Sequence, residues 1–317
     1  MPQEPYRIIQ WMTGDVGQVA VRHFADNPVF DLVGVLVHTP EKVGKDAGEI
    51  AGIPPIGLVA TDDIDSMVAL DADCVFYTPI IMDVETVCRL LRSGKNVVTT
   101  SGFFHPSKDF REDGATIEAA CQEGGTSFHG GGIHPGYAGD LLPLTLARVV
   151  SKIQKIQVYE VVNVLTDAPL DHIDWMGFGK DKDEFLSTPT ILGLGVPFFA
   201  QSMYMIAEGL GVEIDDITAD LKAAVATKDI RHHLGVIPSG TVAAQHHEWT
   251  AWVDGQPLIA FHAIYLTARA DGLEPAWDWG KTRYRIVIEG DPPTELRSRV
   301  SMNPTEQWRI PATTGPR

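Results

Sequence analysis

Short runs that are apolar throughout alternate with amphipathic segments over the first 130 residues, and this alternation limits the possible folds more than any other feature. The strands predicted from this pattern cover residues 6–11, 32–37, 74–77, 96–100 and 126–129. Strands that are apolar on both faces are typical of a parallel sheet with helices packed on both sides. The pattern therefore predicts an α/β fold that begins with a Rossmann-type doubly wound parallel sheet, over residues 1–135.

The second half of the chain has a different periodicity. Apolar and polar residues alternate over residues 153–164, 242–253, 258–266 and 283–289, which is typical of antiparallel strands with one face toward water. Asp254-Gly255 fits a hairpin turn between two of these strands. Helices are expected around residues 197–208 and 217–226. We therefore predict a second domain over residues 136–317, an α+β domain with a mostly antiparallel sheet.

Charge and composition exclude several classes of function. The 317 residues contain 25 Lys and Arg against 42 Asp and Glu, a formal net charge of −17, whereas a protein that binds the nucleic-acid backbone needs clustered cations. The same charge disfavours docking on anionic lipid. No window approaches 18 uninterrupted apolar residues, and the N-terminus lacks the basic and apolar regions of a signal peptide. We expect a cytoplasmic protein with a small-molecule substrate and with neither a nucleic-acid nor a membrane partner.

The loop after the first apolar run carries a partial phosphate-binding motif. Gly14 and Gly17 match the second and third glycines of G-x-G-x-x-G, while Met12 occupies the first position. Its place between a predicted strand and a predicted helix indicates a dinucleotide site, with the phosphates at the helix N-terminus. The alternative is a tight turn that needs glycine for steric reasons only. The expected cofactor contacts in this loop are Thr13, Gly14, Asp15, Val16 and Gly17.

The end of the second strand bears on the choice between the two nicotinamide cofactors. An Asp or Glu there would bind the ribose hydroxyls of NAD, but this chain has His38, Thr39 and Lys42, followed by Lys45, and Glu41 is the nearby acid. These side chains can donate to or neutralise a 2′-phosphate. We therefore expect NADP or NAD, with NADP favoured. The alternative is that Lys42 and Lys45 are solvated loop charges.

Loops after the later strands are expected to hold the nicotinamide and its ribose, because ligands bind at the carboxyl ends of strands in such sheets. Small residues and hydroxyl groups there leave room for a ring, and two phenylalanines could form the wall of a substrate pocket. The predicted cofactor contacts are Tyr77, Thr78, Pro79, Thr100, Ser101 and Gly102, and the predicted pocket walls are Phe103 and Phe104.

Several of these motifs together resemble a known family. Phe76-Tyr77-Thr78-Pro79, the stretch 98–103 and Gly130-Gly131-Gly132-Ile133 resemble the N-terminal domain of dihydrodipicolinate reductases. The stretches 33–52, 132–137 and 175–179 are more similar to the branch of 2,4-diaminopentanoate dehydrogenases and native amine dehydrogenases. The resemblance implies a homodimeric enzyme in which NAD(P)H reduces the imine formed from a ketone and ammonia. It also implies that residues 136–317 bind substrate and form the dimer.

The resemblance further implies a catalytic Glu just beyond the strand that ends at Thr100. This chain has no acidic residue after that strand before Asp109. His105 is one candidate for the acid–base role, and His134, between Ile133 and Pro135, is a second, because imidazole titrates near neutral pH. The alternatives are a surface histidine at 105 and a hinge histidine at 134 that bonds to the backbone.

Two histidine-containing segments remain. A cluster of polar residues lies next to aromatic ones after residue 167, and the predicted pocket residues there are His172, Trp175 and Phe178, together with His134. The run Gln245-His246-His247-Glu248 is like a metal-binding cluster, but adjacent strand positions point to opposite faces. Only His246 and Glu248 can share a face, so no metal site is predicted.

These patterns together predict an NAD(P)-dependent oxidoreductase that transfers a hydride between nicotinamide C4 and the carbon of a C=N bond, in the manner of an amine dehydrogenase. Two alternatives stay open. The missing Glu also fits an NADPH-dependent carbonyl reductase that interconverts ketone and alcohol. A dinucleotide-binding sensor without catalytic activity is the third possibility.

Overall fold

The structure is a computed structural model that describes residues 4–105, 111–167, 173–188, 190–232, 235–279 and 283–298. The chain divides into two compact units. The first comprises Met1–Tyr137 together with Ala200–Met205, and the second comprises Ala138–Phe199 and Ile206–Arg317. In the described residues, no helix is both long enough and apolar enough to cross a membrane.

The first unit is built on a five-stranded parallel sheet. Its strands lie in the order β2-β1-β3-β4-β5, and every neighbouring pair is parallel. This confirms the predicted doubly wound sheet. The elements of this unit are β1 (Tyr6–Trp11), α1 (Asp15–Asp26), β2 (Phe30–Leu36), α2 (Ala47–Ile50), α3 (Ile64–Ala69), β3 (Cys74–Tyr77), α4 (Val84–Arg92), β4 (Asn96–Thr99), α5 (Arg111–Gly124) and β5 (Phe128–Gly130).

Aspartate side chains cap the starts of α3 and α4. The carboxylate of Asp63 accepts from the backbone N–H of Ser66 at the start of α3, and that of Asp83 accepts from the N–H of Glu85 at the start of α4. Gly94 follows α4 with a φ of 89°, a conformation that disfavours residues with a Cβ. Helix positions in this unit thus follow local capping rules.

The core of the first unit lies between the sheet and its helices. Ile9 of β1, Val75 of β3, Val97 of β4 and Leu91 of α4 are fully buried. Because β2 and β3 lie on opposite sides of β1, the winding direction reverses at β1. In sheets of this kind, ligands bind beyond the carboxyl ends of the strands next to such a reversal.

The second unit contains a mixed, mostly antiparallel sheet of seven strands in the order β12-β7-β10-β11-β6-β13-β14. Strands β6 and β11 form its parallel pair. The predicted α+β character is confirmed. Its elements are α6 (Leu142–Ala147), β6 (Lys155–Asn163), α7 (Val164–Asp167), α8 (Ile173–Met176), α9 (Lys182–Ser187), α10 (Thr190–Leu210), β7 (Asp216–Ala226), β8 (Ile230–His232), β9 (Gly235–Ile237), β10 (Val242–Val253), β11 (Gln256–Leu266), β12 (Leu273–Glu274), β13 (Tyr284–Glu289) and β14 (Thr294–Ser298).

One predicted helix is wrong. Residues 217–226 were expected to be helical, but they form most of β7, which pairs with β10 and β12. Alanine, leucine and lysine favour helices, yet Ile217, Ala219 and Leu221 alternate with polar residues at a period of two. Pairing along β10 satisfies the backbone of this segment, and the tertiary context overrides its helix propensity.

The seven-stranded sheet has two unlike faces. On one face, the ring of Trp249 packs against Phe199 of α10 with 4.6 Å between ring centroids. Gly195 of the same helix lies so close to Trp249 that a side chain there would overlap the indole. The opposite face carries polar residues at the alternate positions of β10.

Between β10 and β11, Asp254 and Gly255 both have positive φ, as in the predicted hairpin turn.

Truncation of a core side chain in α4 tests this description of the first unit. Leu91→Ala removes a fully buried side chain, and we expect a loss of about 2–5 kcal/mol in the free energy of unfolding. Urea unfolding followed by circular dichroism measures it. The matched control is Val19→Ala, at a position that is 56% exposed, and should change stability by less than about 0.5 kcal/mol. Equal effects of the two substitutions would contradict the described core.

Candidate functional site

The loop between β1 and α1 packs tightly on itself. A Cβ at Gly17 would overlap the carbonyl oxygen of Met12, so only glycine allows α1 to approach the loop this closely. Met12, in the first position of the motif, has a φ of 72°. A side chain at that φ costs energy that glycine avoids. The loop therefore has the backbone geometry of the three-glycine motif although one glycine is replaced.

Gly14 differs from Gly17 in what surrounds it. A Cβ at Gly14 would meet no heavy atom of the described residues within 4 Å, and its backbone is extended, with φ −66° and ψ −168°. The packing and backbone of the described chain thus give no reason for glycine at this position. The interpretation as a steric turn accounts for Gly17 but not for Gly14. An external group that approaches the backbone accounts for both.

The first turn of α1 is suited to receive such a group. The helix begins at Asp15, and in the described part of the chain no side chain caps its N-terminus. The first N–H groups of a helix have no partner within the helix, and the helix dipole makes this end positive. A pyrophosphate matches this arrangement in charge and in hydrogen bonding. The loop of residues 13–17 therefore fits a dinucleotide.

A buried amide that the sequence analysis missed holds this loop in place. Gln10 is fully buried within β1, and its Nε2 donates to the carbonyl oxygen of Met12 (2.8 Å) and to Thr78 Oγ1 (2.9 Å). Thr78 Oγ1 in turn donates to the carbonyl oxygen of Trp11 (3.0 Å). The side chain of Thr78, a predicted cofactor contact, thus ties the end of β3 to the loop. The sequence signal that could have identified Gln10 as a structural residue is its polar side chain between the apolar residues Ile9 and Trp11 of a predicted strand.

Lys42 brings a positive charge from the end of β2 to the same loop. Its Nζ donates to the carbonyl oxygen of Thr13 (2.7 Å) and lies 3.3 Å from Thr13 Oγ1. Lys42 ends a short 3₁₀ turn, Pro40–Lys42, which follows Thr39. His38 is exposed, and so is Lys45. The structure therefore brings Lys42 and Thr13 together, as a site for a phosphorylated ribose requires.

The loop after β4 is fixed by small polar residues. Thr99 Oγ1 accepts from the backbone N–H of Ser101 (2.9 Å), and Ser101 Oγ donates to the carbonyl oxygen of Pro79. Gly102 has a φ of 71°. The predicted cofactor contacts after β3 and β4 are thus joined directly to each other. They form a connected edge on the carboxyl side of the sheet.

Two aromatic residues predicted for this edge lie in the core. The hydroxyl of Tyr77 accepts from the backbone N–H of Asp83 (3.1 Å), and its ring stacks on Trp11. Phe103 is 6% exposed and packs edge-on against Phe128. Their side chains stabilise the first unit, and a contact of either with a ligand stays a prediction.

Gln201 is a second buried amide that the sequence analysis missed. Its Oε1 accepts from the backbone N–H groups of Phe104 (2.7 Å) and His105 (3.1 Å), and its Nε2 donates to the carbonyl oxygen of Gly102 (2.9 Å). Gln201 is fully buried and lies on the segment of α10 that belongs to the first unit. It holds the backbone of the loop that carries His105.

The loops that carry the two candidate histidines are neighbours. A Cβ at Gly130 would overlap the carbonyl oxygen of Phe103, and the ring of Phe104 lies 3.5 Å from the Cβ position of Gly132. His105 and His134 are both half-buried. Both loops follow adjacent strands, β4 and β5, so the candidates belong to the same edge of the sheet.

The predicted pocket residues of the second unit are placed differently. Phe178 is 4% exposed and belongs to the apolar core around Phe185 and Ile237, whereas Trp175 is 57% exposed. Phe178 is therefore a core residue, and its predicted place in a pocket wall stays untested. His172 lies outside the described residues.

Comparisons with known proteins agree with this geometry. Residues 8–124 match the family described as "Dihydrodipicolinate reductase, N-terminus". Residues 137–304 match the family described as "2,4-diaminopentanoate dehydrogenase C-terminal domain". An amine dehydrogenase from Streptomyces virginiae is 32% identical over 307 residues, which cover 91% of this chain and 83% of that protein.

Solved structures show the same fold. The amine dehydrogenase of Mycobacterium smegmatis superposes with a TM-score of 0.74 at 19% identity, over 93% of this chain and 87% of that one. Biliverdin reductase from Synechocystis sp. PCC 6803, solved with biliverdin and NADP+, superposes with a TM-score of 0.54 at 13% identity, over 93% and 80% of the two chains.

Substitution of Gly14 separates ligand binding from folding. Gly14→Val adds a side chain at a position where a Cβ meets no described heavy atom within 4 Å. We expect unchanged circular dichroism and melting temperature, but at least a tenfold weaker affinity for NADPH and NADH, measured by titration of cofactor fluorescence. The contrasting variant is Gly17→Ala, which should lower the melting temperature. An unchanged affinity in Gly14→Val would refute the phosphate assignment.

Proposed function

This chain belongs to the family of amine dehydrogenases and 2,4-diaminopentanoate dehydrogenases, and on that premise we propose that it transfers a hydride between nicotinamide C4 and the carbon of a C=N bond. It is an NAD(P)-dependent oxidoreductase, as both matched family descriptions and the similar amine dehydrogenase indicate. The substrate we propose is the imine of a small to medium ketone. In the forward direction the product is a primary amine.

One observation carries the proposal that the chain binds a nicotinamide dinucleotide. A Cβ at Gly14 would meet no described atom, and Gly14 directly precedes the uncapped start of α1. Backbone N–H groups there suit the pyrophosphate of a dinucleotide, and Gln10 keeps the loop in shape from below. A bound nicotinamide cofactor supplies the hydride. The chain itself contributes binding, orientation and exclusion of water.

The loops after β3, β4 and β5 would orient the substrate. Ser101 and Thr78 hold the first two loops to their neighbours, and Gln201 fixes the backbone at Phe104 and His105. A fixed loop matters because the reacting carbon must lie about 3–3.5 Å from the hydride donor. Phe104, beside Gly132, is suited to shield this space from water.

The two possible reactions make different demands on the side chains. Reduction of an iminium forms a C–H bond while the π electrons of C=N move to nitrogen, so the step needs no added proton. Reduction of a ketone leaves a negative oxygen that must take up one proton. His105 and His134 are the candidates for that donor.

Carbonyl reduction is the second candidate function, and the residues after β4 favour it. The family resemblance implies a carboxylate in this loop that holds a cationic nitrogen, but residues 101–105 contain no acid. A histidine can replace a proton donor, but it cannot provide the negative charge that stabilises an iminium. Family membership favours the imine, and the missing acid favours the ketone.

We further propose that NADP is preferred over NAD. The support is Lys42, whose ammonium group reaches Thr13 in the phosphate-binding loop, and the lack of an acidic residue at His38 and Thr39. A 2′-phosphate carries about two negative charges that a lysine can neutralise. The homodimer and the cytoplasmic location stay predictions.

A cofactor oxidation assay distinguishes the candidate functions. NADPH and NADH are each mixed with the enzyme and a panel of ketones, with and without ammonium, and absorbance at 340 nm is followed. We expect turnover that requires both ketone and ammonium. Gly14→Val serves as the control for background oxidation.

Turnover that is independent of ammonium would overturn the imine proposal in favour of the carbonyl reductase. Tight cofactor binding without turnover on a broad panel would favour a sensor. If neither cofactor binds, the dinucleotide site itself is wrong.

Replacement of Lys42 tests the cofactor preference. Lys42→Ala removes the cation beside Thr13, and we expect the Kd for NADPH to rise about tenfold while that for NADH changes less than about threefold, as for loss of one charge-assisted contact. Isothermal titration measures both. Lys45→Ala is the matched control, because Lys45 is exposed. Equal changes for the two cofactors would show that Lys42 only supports the loop.

A further inference from the structure

Three side chains of metal-binding type converge on the polar face of the seven-stranded sheet. His246 and Glu248 lie two residues apart on β10, so they share this face. His262 of β11 stands directly opposite Glu248 in the antiparallel register. Strand pairing thus adds a third residue that is 14 positions away in the sequence.

The donor atoms of these residues are close enough for one ion. His246 Nε2 lies 3.0 Å from His262 Nδ1, and His262 Nδ1 lies 3.7 Å from Glu248 Oε2. One donor atom of each residue lies within 4.8 Å of the other two. A zinc ion with bonds of about 2.0–2.2 Å holds ligands that are roughly 3–4 Å apart. Small side-chain shifts therefore suffice to bring all three onto one ion.

Burial prepares the imidazoles for this role. His262 is 5% exposed, and the ring of Tyr159 stacks on it with 4.2 Å between ring centroids, which fixes its orientation. His246 is half-buried beside it. Burial and ring stacking thus hold the His262 ring in place for coordination.

The carboxylate of Glu248 has one cationic side chain near it in the described structure, that of Lys222, which also pairs with Asp220 at 3.3 Å. The distance to His262 Nδ1 exceeds that of a hydrogen bond. Lys222 Nζ lies 4.0 Å from Glu248 Oε2, and Thr250 Oγ1 lies 3.4 Å from Glu248 Oε1. Lys222 is 58% exposed at its side chain and can move into water. A divalent ion at this point would compensate the charge of Glu248 at shorter range.

A cavity adjoins the cluster on the side of His246. Its volume is about 290 Å³, and its lining comprises Lys222, His246, Ala276, Trp277, Asp278 and Trp279. The rings of Trp279 and Trp277 lie 5.7 and 6.3 Å from the ring of His246. An ion held by the three residues would keep a coordination position open toward this space, where water can bind. Two histidines, one glutamate and a water are a known zinc-ligand set.

We propose that His246, Glu248 and His262 form a binding site for a divalent transition-metal ion, with zinc as the best match. The site lies entirely within the second unit and uses none of the residues assigned to the dinucleotide. The proposal replaces the sequence-based expectation of no metal site. That expectation rests on β10 alone, whereas the third ligand, His262, comes from the neighbouring strand β11.

Metal titration of the untagged full-length protein tests the proposal. The protein is stripped with EDTA, dialysed and titrated with ZnCl₂ by isothermal calorimetry, and bound zinc is then counted by elemental analysis. We expect one zinc per chain and a rise in the melting temperature, because a ligand that binds the folded state stabilises it. His246→Gln and Glu248→Gln should each weaken binding at least tenfold. The control His129→Gln removes an exposed histidine of the first unit and should not.

A second readout uses the tryptophan fluorescence of the parent protein and leaves the three proposed metal ligands unchanged. Bound Cu²⁺ quenches nearby indoles, so titration with CuCl₂ should quench part of the tryptophan fluorescence of the parent protein, and Trp277→Phe with Trp279→Phe should remove that part. No saturable zinc binding by the parent at about 100 µM metal would overturn the proposal. So would a Kd that is unchanged in folded Glu248→Gln, with melting curves used to establish folding.

Discussion

Both faces of the five-stranded parallel sheet are buried, and the arrangement of the first unit depends on this constraint. The side chains of Ile9, Val75 and Val97 on one face and of Ile8 on the other are buried in the packing, which leaves the strands little surface for contact with a ligand. Chemistry is confined to the loops at the strand ends. The loops after β1, β3, β4 and β5 accordingly contain the glycines, hydroxyl groups and histidines of the candidate site.

These loops keep their shape because buried amides hold them. Gln10 and Gln201 are both fully buried; Gln10 Nε2 donates to the loop backbone at Met12, and Gln201 bonds to loop backbone through both its amide oxygen and its Nε2. A buried amide that lost these partners would cost about 1–3 kcal/mol, so each one favours a single loop conformation. The contribution of these two amides to function is that they fix the backbone of the loops that are proposed to contact the ligand.

Local patterns were sufficient for much of the fold. The predicted strands in the first unit lie within a few residues of those observed, because the hydrophobic pattern that marks a strand acts over a short stretch of sequence. The prediction was wrong for residues 217–226, where helix-favouring residues form a strand that β10 supports. Tyr77, Phe103 and Phe178 flank loops in the sequence, yet their side chains lie in cores. An aromatic residue beside a loop has the same local pattern whether it faces a ligand or the core.

The sequence by itself determined the doubly wound sheet, the glycine-containing loop at Gly14 and Gly17, and the absence of an acid from residues 101–105. Those features depend on neighbours within one element. Only the tertiary structure decided that Gln201 holds the loop of His105, and that His262 stands opposite Glu248. Such contacts join residues of different elements, and strand register and helix packing set them. No local sequence pattern predicts either of these two contacts.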